Sequence, residues 1–165
     1  MKLSFIIPTL NEERTLLSNL IFLKKIRKYL NAELIIVDGG SHDSTVNIAK
    51  TLSCNVYTSE ASRSKQLNLG AKHANGKYLV FLHADTILDN DAINHLKNIN
   101  KDIKWGFFSI KIKSNNFKYK MLSALINIRT RFFNYATGDQ AIVMENKFFY
   151  RVKGFREIYL MEDID

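Results

Sequence analysis

The sequence predicts an α/β domain built on a mostly parallel sheet with helices on both faces. Three observations predict it. Short, almost entirely apolar runs such as Leu3 to Pro8 and Tyr78 to Leu82 suit strands covered on both sides. Segments with apolar residues at helical spacing alternate with those runs. Polar clusters follow the strand ends at Thr9 to Glu12, Asp38 to Ser41 and His83 to Asp85. Open sheets of this kind bind ligands at that edge.

Taken in order, Leu3 to Pro8 reads as a strand stopped by Pro8. Thr9-Leu10-Asn11-Glu12 has capping-box spacing, and Glu12 and Glu13 suit the positive end of a helix. That helix runs to about Tyr29, with Leu16, Leu17, Leu20, Leu23 and Ile26 along one side. A second strand, Leu34 to Val37, ends on Asp38. "GGSHDST" is a turn and helix start, with Ser41 or Asp43 as the cap. A helix to Leu52, a strand at Asn55 to Tyr57 and a helix from about Ser62 to Ala74 follow, and "ANGK" turns into the Tyr78 to Leu82 strand. Residues 1–88 form one half of a single domain and 89–165 the other. The second half begins with a helix at Asp91 to Asn100. An alternating strand around Trp105 to Ile112 follows, with Lys111 and Lys113 on one side and Ile110 and Ile112 on the other. Residues 117–135 form an amphipathic helix in which Lys118, Lys120, Arg129 and Arg131 flank apolar positions. "GDQAIVM" is a turn and strand, and "NKFFYRVKGF" a short helix ending at Gly154, a good residue for a helix exit.

The chain has 165 residues, enough for one domain with a hydrophobic core. Hydrophobic residues make up 46%, a globular composition that excludes a disordered chain. The net charge of +8 favours an anionic partner: nucleotide phosphates, nucleic acid or an acidic membrane surface. The plainer reading is a coding bias toward Lys, Asn and Ile. One cysteine, Cys54, allows no intrachain disulfide and points to a reducing, cytoplasmic compartment. The N-terminal run is too short and too quickly acidic for a signal peptide, and no stretch approaches the ~18 apolar residues of a membrane span.

Four groups can carry chemistry. Asp38, at a strand's carboxyl end, can accept a nucleobase N–H or a ribose hydroxyl; the plainer reading is a turn or cap aspartate. Neither G-x-G-x-x-G nor G-x-x-x-x-G-K-[ST] is present, which argues against a Rossmann dinucleotide site and a P-loop. His83 and Asp85 form the second group. One carboxylate with diphosphate oxygens and waters is a normal way to hold Mg²⁺ or Mn²⁺; the alternatives are a helix cap and a turn histidine. Arg63, with Lys65, Gln66 and Asn68, is the third. Arg63 stands near a helix N-terminus, which favours phosphate, and a guanidinium adds a bidentate grip; otherwise this is a solvated helix face, with Leu67, Ala71 and Ala74 buried. Glu162 and Asp163 come last: one can be structural while the other takes a proton, or both belong to an exposed acidic tail.

In order, "IIPTLNEE", "IIVDGGSHDST", "ASRSKQLNLGAKHANGKYLVFLHADT", "GDQAIVMENKFFYRVKGF" and "MEDID" resemble the family 2 glycosyltransferases, closest to a small bacterial subgroup with "GGSxDxT" and "FLHADT". The resemblance covers nearly the whole chain. It implies a GT-A (Rossmann-like) fold and transfer of a hexosyl unit from a nucleotide-diphospho-sugar to an acceptor hydroxyl, inverting and dependent on Mg²⁺ or Mn²⁺. Pro8 to Glu13 would line the nucleotide pocket, with Thr9 and Glu12 in contact. Asp38 matches the acid that recognises base or ribose, and Arg63 a basic position beside the diphosphate. "HAD" stands where the family has D-x-D, so Asp85 would bind the metal, while His83 replaces the first acid. "MED" matches the family's E-D motif, making Asp163 the catalytic base. Gly138 to Gln140 falls where members shape the sugar and acceptor side.

The chain ends two residues beyond Asp163, where members usually continue, so the C-terminal, acceptor-side part is expected to be truncated. A nucleotide-sugar binder with impaired catalysis is the alternative that follows. A basic nucleic-acid-binding module ranks below it, because no nucleic-acid motif appears; nucleic acid is not expected as a partner. Residues 117–135 read as a core helix whose Lys and Arg face water. Two other uses remain: a helix lying peripherally on an anionic membrane, fitting a lipid-linked rather than a saccharide acceptor, and a homo-oligomer interface through residues such as Phe132 and Phe133.

Overall fold

The computed structural model describes residues 2–100, 102–112, 116–133 and 140–157. Among the described residues, six strands and six helices follow one another as β1 (Leu3–Thr9), α1 (Glu13–Leu30), β2 (Ala32–Asp38), α2 (Thr45–Thr51), β3 (Asn55–Thr58), α3 (Arg63–Lys72), β4 (Tyr78–Phe81), α4 (Asn90–Lys97), β5 (Trp105–Phe107), α5 (Phe117–Phe133), β6 (Ile142–Glu145) and α6 (Asn146–Arg151). The sheet order is β3-β2-β1-β4-β6-β5. The first four strands in that order run parallel, and β6 is antiparallel to both β4 and β5.

Alternation along the strands explains the two-sided burial. Leu3, Phe5, Ile7, Leu34, Ile36, Tyr78 and Val80 face one core with Leu16, Leu20 and Leu23 of α1 and Ile93 and Leu96 of α4. Ile6, Ile35, Val37, Leu79 and Phe81 face the other with Leu67 and Ala71 of α3 and Phe149 of α6. Side chains on a strand alternate in direction, so a strand buried on both faces must be apolar at consecutive positions. Gly70 sets how closely α3 approaches the sheet: a Cβ there would collide with Ile6 Cγ2 and lie 3.1 Å from Val37 Cγ2.

Several local expectations are corrected. Thr9 is the last residue of β1 and not a helix cap. Glu12 takes the cap position without a side-chain bond to the helix backbone, because register pairs Thr9 with Asp38 and directs its hydroxyl there. Leu17 is exposed, and Asn19 is buried on α1, its amide donating to the carbonyl of Ala84 at 3.0 Å. Ser44, not Ser41 or Asp43, is the cap residue of α2, although the Asp43 carboxylate accepts from Thr45 N at 2.9 Å. β5 stops at Phe107. Ile110 and Ile112 do turn inward and Lys111 outward, but their backbone bonds go to α5: Asn127 accepts from Ile110 N and donates to its carbonyl, both at 2.9 Å, and Ser123 Oγ accepts from Ile112 N at 3.0 Å.

The core reading of α5 is reversed as well. Its inward stripe is Ser123, Asn127 and Thr130, while Phe117, Met121, Leu122, Leu125 and Ile128 are exposed. No helix among the described residues is long and apolar enough to cross a membrane.

Candidate functional site

The strand order reverses between β1 and β4, since the connection from β1 leads outward through β2 and β3 and the chain then returns to β4 on β1's other side. Carboxyl ends at such a point leave a crevice. A cleft of ≈ 420 Å³ lies there, lined by Pro8, Thr9, Leu10 and Glu12 after β1, Ala61, Ser62, Arg63 and Gln66 at the start of α3, and His83, Ala84 and Asp85 after β4. A cleft of this size suits a small ligand. Of the candidate residues, Pro8, Thr9, Glu12, Arg63, His83 and Asp85 therefore come together. Asp163 and Glu162, with Gly138 and Asp139, lie outside the described residues.

Asp38 is placed differently. It is 2% exposed and does not line the cleft. Its Oδ2 accepts from Gly40 N at 2.9 Å and Ser41 N at 2.8 Å; its Oδ1 accepts from Ser41 Oγ at 2.5 Å and Thr9 Oγ1 at 3.2 Å. Gly40 has φ +94°, a left-handed conformation that glycine adopts without strain. The carboxylate thus holds the turn after β2 and orients Thr9, which faces the cleft.

The motif residues around it bind one another. Asn11 N donates to Ser41 Oγ at 2.8 Å, and His42 N donates back to Asn11 Oδ1 at 2.9 Å. Glu12 N donates to Thr45 Oγ1 at 2.8 Å, and Ser44 N donates to Glu13 Oε2 at 3.0 Å. Thr45 Oγ1 in turn donates to Asp43 Oδ1 at 2.5 Å. Hydrogen bonds, first from the Thr45 hydroxyl, hold the Asp43 carboxyl below its ordinary range. "NEE" and "GGSHDST" are two halves of one loop scaffold. Nothing in either motif alone announces this; the signal is their shared richness in short side chains that bond backbone groups.

The "RSKQLN" group separates. Arg63 is exposed at the first position of α3, a helix with no acidic residue in its first turn. Lys65 forms an ion pair with Glu60. Gln66 is buried, and its Nε2 donates to the carbonyls of Thr9 at 2.9 Å and Val37 at 2.7 Å, clamping β1 to β2 where they enter the cleft. Asn68 bonds both backbone groups of Phe155, at 2.9 and 3.0 Å. Cys54 is half-buried, and burial pushes its thiol up, away from nucleophile chemistry.

His83 and Asp85 sit on a turn closed by Thr86 N donating to His83 O at 3.2 Å. Asn19 of α1 reaches the carbonyls of both His83 and Ala84. The Asp85 side chain takes no part in closing the turn. It is exposed in the cleft wall with no hydrogen bond or ion pair to a described residue. Asp89, not Asp85, caps α4, accepting from Ala92 N at 2.8 Å. Among the described residues no three His, Cys, Asp or Glu side chains cluster as a metal site. A cation on Asp85 would need further oxygen ligands, and a carboxylate with anion oxygens and water is a set that suits Mg²⁺ or Mn²⁺.

Residues 4–158 match the model of the family described as glycosyl transferase family 2. The poly-β-1,6-N-acetyl-D-glucosamine synthase of Staphylococcus aureus is 32% identical over 114 residues, covering 63% of this chain and 27% of that protein. The chain thus spans about a quarter of the length of that relative. Two solved structures share the fold. One is S. aureus TarS 1–349 in complex with UDP-GlcNAc, with a TM-score of 0.73 at 20% identity over 99% of this chain and 51% of that one. The other is the mannosyltransferase PcManGT of Pyrobaculum calidifontis in complex with GDP-Man and Mn²⁺, with a TM-score of 0.66 at 18% identity over 98% and 49%.

Proposed function

The chain belongs to glycosyl transferase family 2, and on that premise we propose that it moves a sugar from a nucleotide-diphospho-sugar to an acceptor hydroxyl, with inversion. The observation that carries the reading is the junction of Thr9 at the end of β1, Arg63 at the start of α3 and Asp85 in the turn after β4 around one cleft at the switch point of the sheet.

Each residue has a chemical part. The diphosphate lies between Arg63 and Asp85, where the guanidinium and the positive end of α3 attract its charge. Thr9 and Glu12 form the nucleotide wall. The Glu12 carboxylate accepts from Thr15 Oγ1 at 2.7 Å, which fixes its direction. Asp38 acts on the nucleotide through Thr9 and the turn at Gly40–Ser41. His83 stands beside Asp85 on the cleft wall. A Mg²⁺ or Mn²⁺ ion held by Asp85 would neutralise charge on the departing diphosphate.

In the transfer, the acceptor oxygen bonds to the anomeric carbon while the bond from that carbon to the diphosphate oxygen breaks on the opposite face. The proton of the acceptor hydroxyl passes to the Asp163 carboxylate. A positioned base contributes about 10²–10⁴-fold. The donors bound by the two structural neighbours, UDP-GlcNAc and GDP-Man, are the natural first probes.

The test is calorimetric titration of both nucleotide-sugars with and without Mn²⁺, with nucleoside diphosphate release followed in parallel. Binding strengthened by Mn²⁺ is expected. Asp85→Asn should keep the parent's stability to within ~0.5 kcal/mol, since the side chain is exposed and bonds no described residue, yet lose the metal-dependent gain. No binding of either donor, or an Asp85→Asn variant that titrates like the parent, defeats the reading.

A further inference from the structure

The outward face of α5 is chemically inverted. Phe117, Met121, Leu122, Leu125 and Ile128 are between 44% and 76% exposed, while Ser123 and Thr130 on the inward stripe are buried. At 100° per residue, positions 117, 121, 125 and 128 fall within one quarter of the helix circumference. Positions 118 and 129 border that quarter on one side and 120 and 131 on the other, and all four are Lys or Arg. The wider segment is equally one-sided. Residues 103–138 contain seven basic residues, Lys104, Lys111, Lys113, Lys118, Lys120, Arg129 and Arg131, and no Asp or Glu.

We infer that α5 lies on an anionic lipid surface, its apolar stripe in the acyl boundary and its bordering basic positions at the level of the headgroups. The charge selects this occupant. A second copy of the chain would bring two wholly basic segments face to face, which like-charge repulsion opposes. An anionic bilayer meets both the apolar stripe and the cations beside it. The helix is too short and insufficiently apolar to cross the bilayer, so it lies along it. The surface stands apart from the transfer chemistry, because exposure and charge alone carry it. It is also near the cleft's edge of the sheet: Thr130 Oγ1 donates to Gln140 Oε1 at 3.0 Å, and Gln140 leads into β6, whose Ile142 is paired with Phe81 at the end of β4.

The experiment is co-sedimentation of the chain with vesicles of phosphatidylcholine alone and of phosphatidylcholine and phosphatidylglycerol in equal parts, at low and at physiological salt, with no nucleotide present. The parent should bind the anionic vesicles, bind less as salt rises, and ignore phosphatidylcholine alone. Leu125→Glu with Ile128→Glu should weaken binding at least about ten-fold while the chain still unfolds in one cooperative thermal transition, since both side chains are about half-exposed. Lys118→Glu should weaken it less and flatten the salt dependence. Failure of the parent to bind, or a double variant that binds like the parent, overturns the inference. So does a parent that is dimeric by light scattering and is made monomeric by the double variant, which would give the face to a second copy. None of these results touches nucleotide-sugar binding, which the titrations read separately.

Discussion

Replacing Asp38 by Ala and, separately, by Asn separates a carboxylate that reads the ligand from one that builds the wall behind it. Four donors converge on Asp38: two backbone N–H groups and two hydroxyls. Hydrogen bonds to a charged group are worth about 1.5–3 kcal/mol each. Among the described residues the two N–H groups of the turn have no other partner, whereas the hydroxyls can rotate. Asp38→Ala should therefore cost about 3–5 kcal/mol. At 2–4 °C per kcal/mol for a chain of this size, the midpoint should fall by roughly 10 °C. Asp38→Asn can keep its oxygen on Gly40 N and Ser41 N and point its amide at the hydroxyls, which then accept. It should cost about 1 kcal/mol and leave nucleotide-sugar affinity within a few-fold. Urea unfolding and nucleotide titration of the two variants check this. A stable Asp38→Asn variant with affinity lost more than about ten-fold would mean that the charge itself touches the ligand, and the wall-building account would fail.

Two further outcomes follow from the same geometry. Gln66→Leu keeps the side-chain volume but removes both donated bonds to Thr9 O and Val37 O; it should destabilise by about 1–3 kcal/mol in urea unfolding and loosen nucleotide-sugar binding, because the clamp sits at the cleft mouth. Burial raises the Glu33 carboxyl, but bonds from Ser4 and Asn75 together with the Lys2 charge outweigh it, and its pKa lies below the ordinary 4.5. A group lowered on folding stabilises above its unfolded pKa and loses that contribution as pH falls through the folded value. Glu33→Gln should therefore lower stability at neutral pH and flatten the parent's loss of stability below about pH 4.5, as read from unfolding midpoints across an acid series.

The strands were legible because consecutive apolar residues leave a buried strand few alternatives; strand ends alone brought Thr9 and Asp85 to one cleft, while Arg63 was read from its place near a helix N-terminus. Side-chain direction was not legible. Thr9 has capping-box spacing to Glu12, yet the parallel register with Asp38 claims its hydroxyl, and register is a property of two strands that no local spacing encodes. Asp38 illustrates the same limit. A turn aspartate and a ligand-binding aspartate occupy the same place in sequence, and only the Gly40–Ser41 N–H groups decide where the carboxylate points. Asn127 and Ser123 went unnoticed because a helix that substitutes for a strand partner leaves no period in the chain it pairs with.

The inverted helix is the point at which pattern and packing disagree most, and the disagreement has a size. Fully burying a side chain such as Leu, Ile, Met or Phe is worth about 1.5–3 kcal/mol. Five of them left roughly half-exposed on α5 forgo about 5 kcal/mol, comparable with the whole stability of many domains. Rotating the helix would bury them, but it would strip Ile110 and Ile112 of their backbone partners and Gln140 of Thr130. The polar stripe thus holds the helix in the orientation that presents its apolar side outward. That orientation is built into the fold by Asn127 and Ser123, so the stripe is available to a surface before any surface arrives.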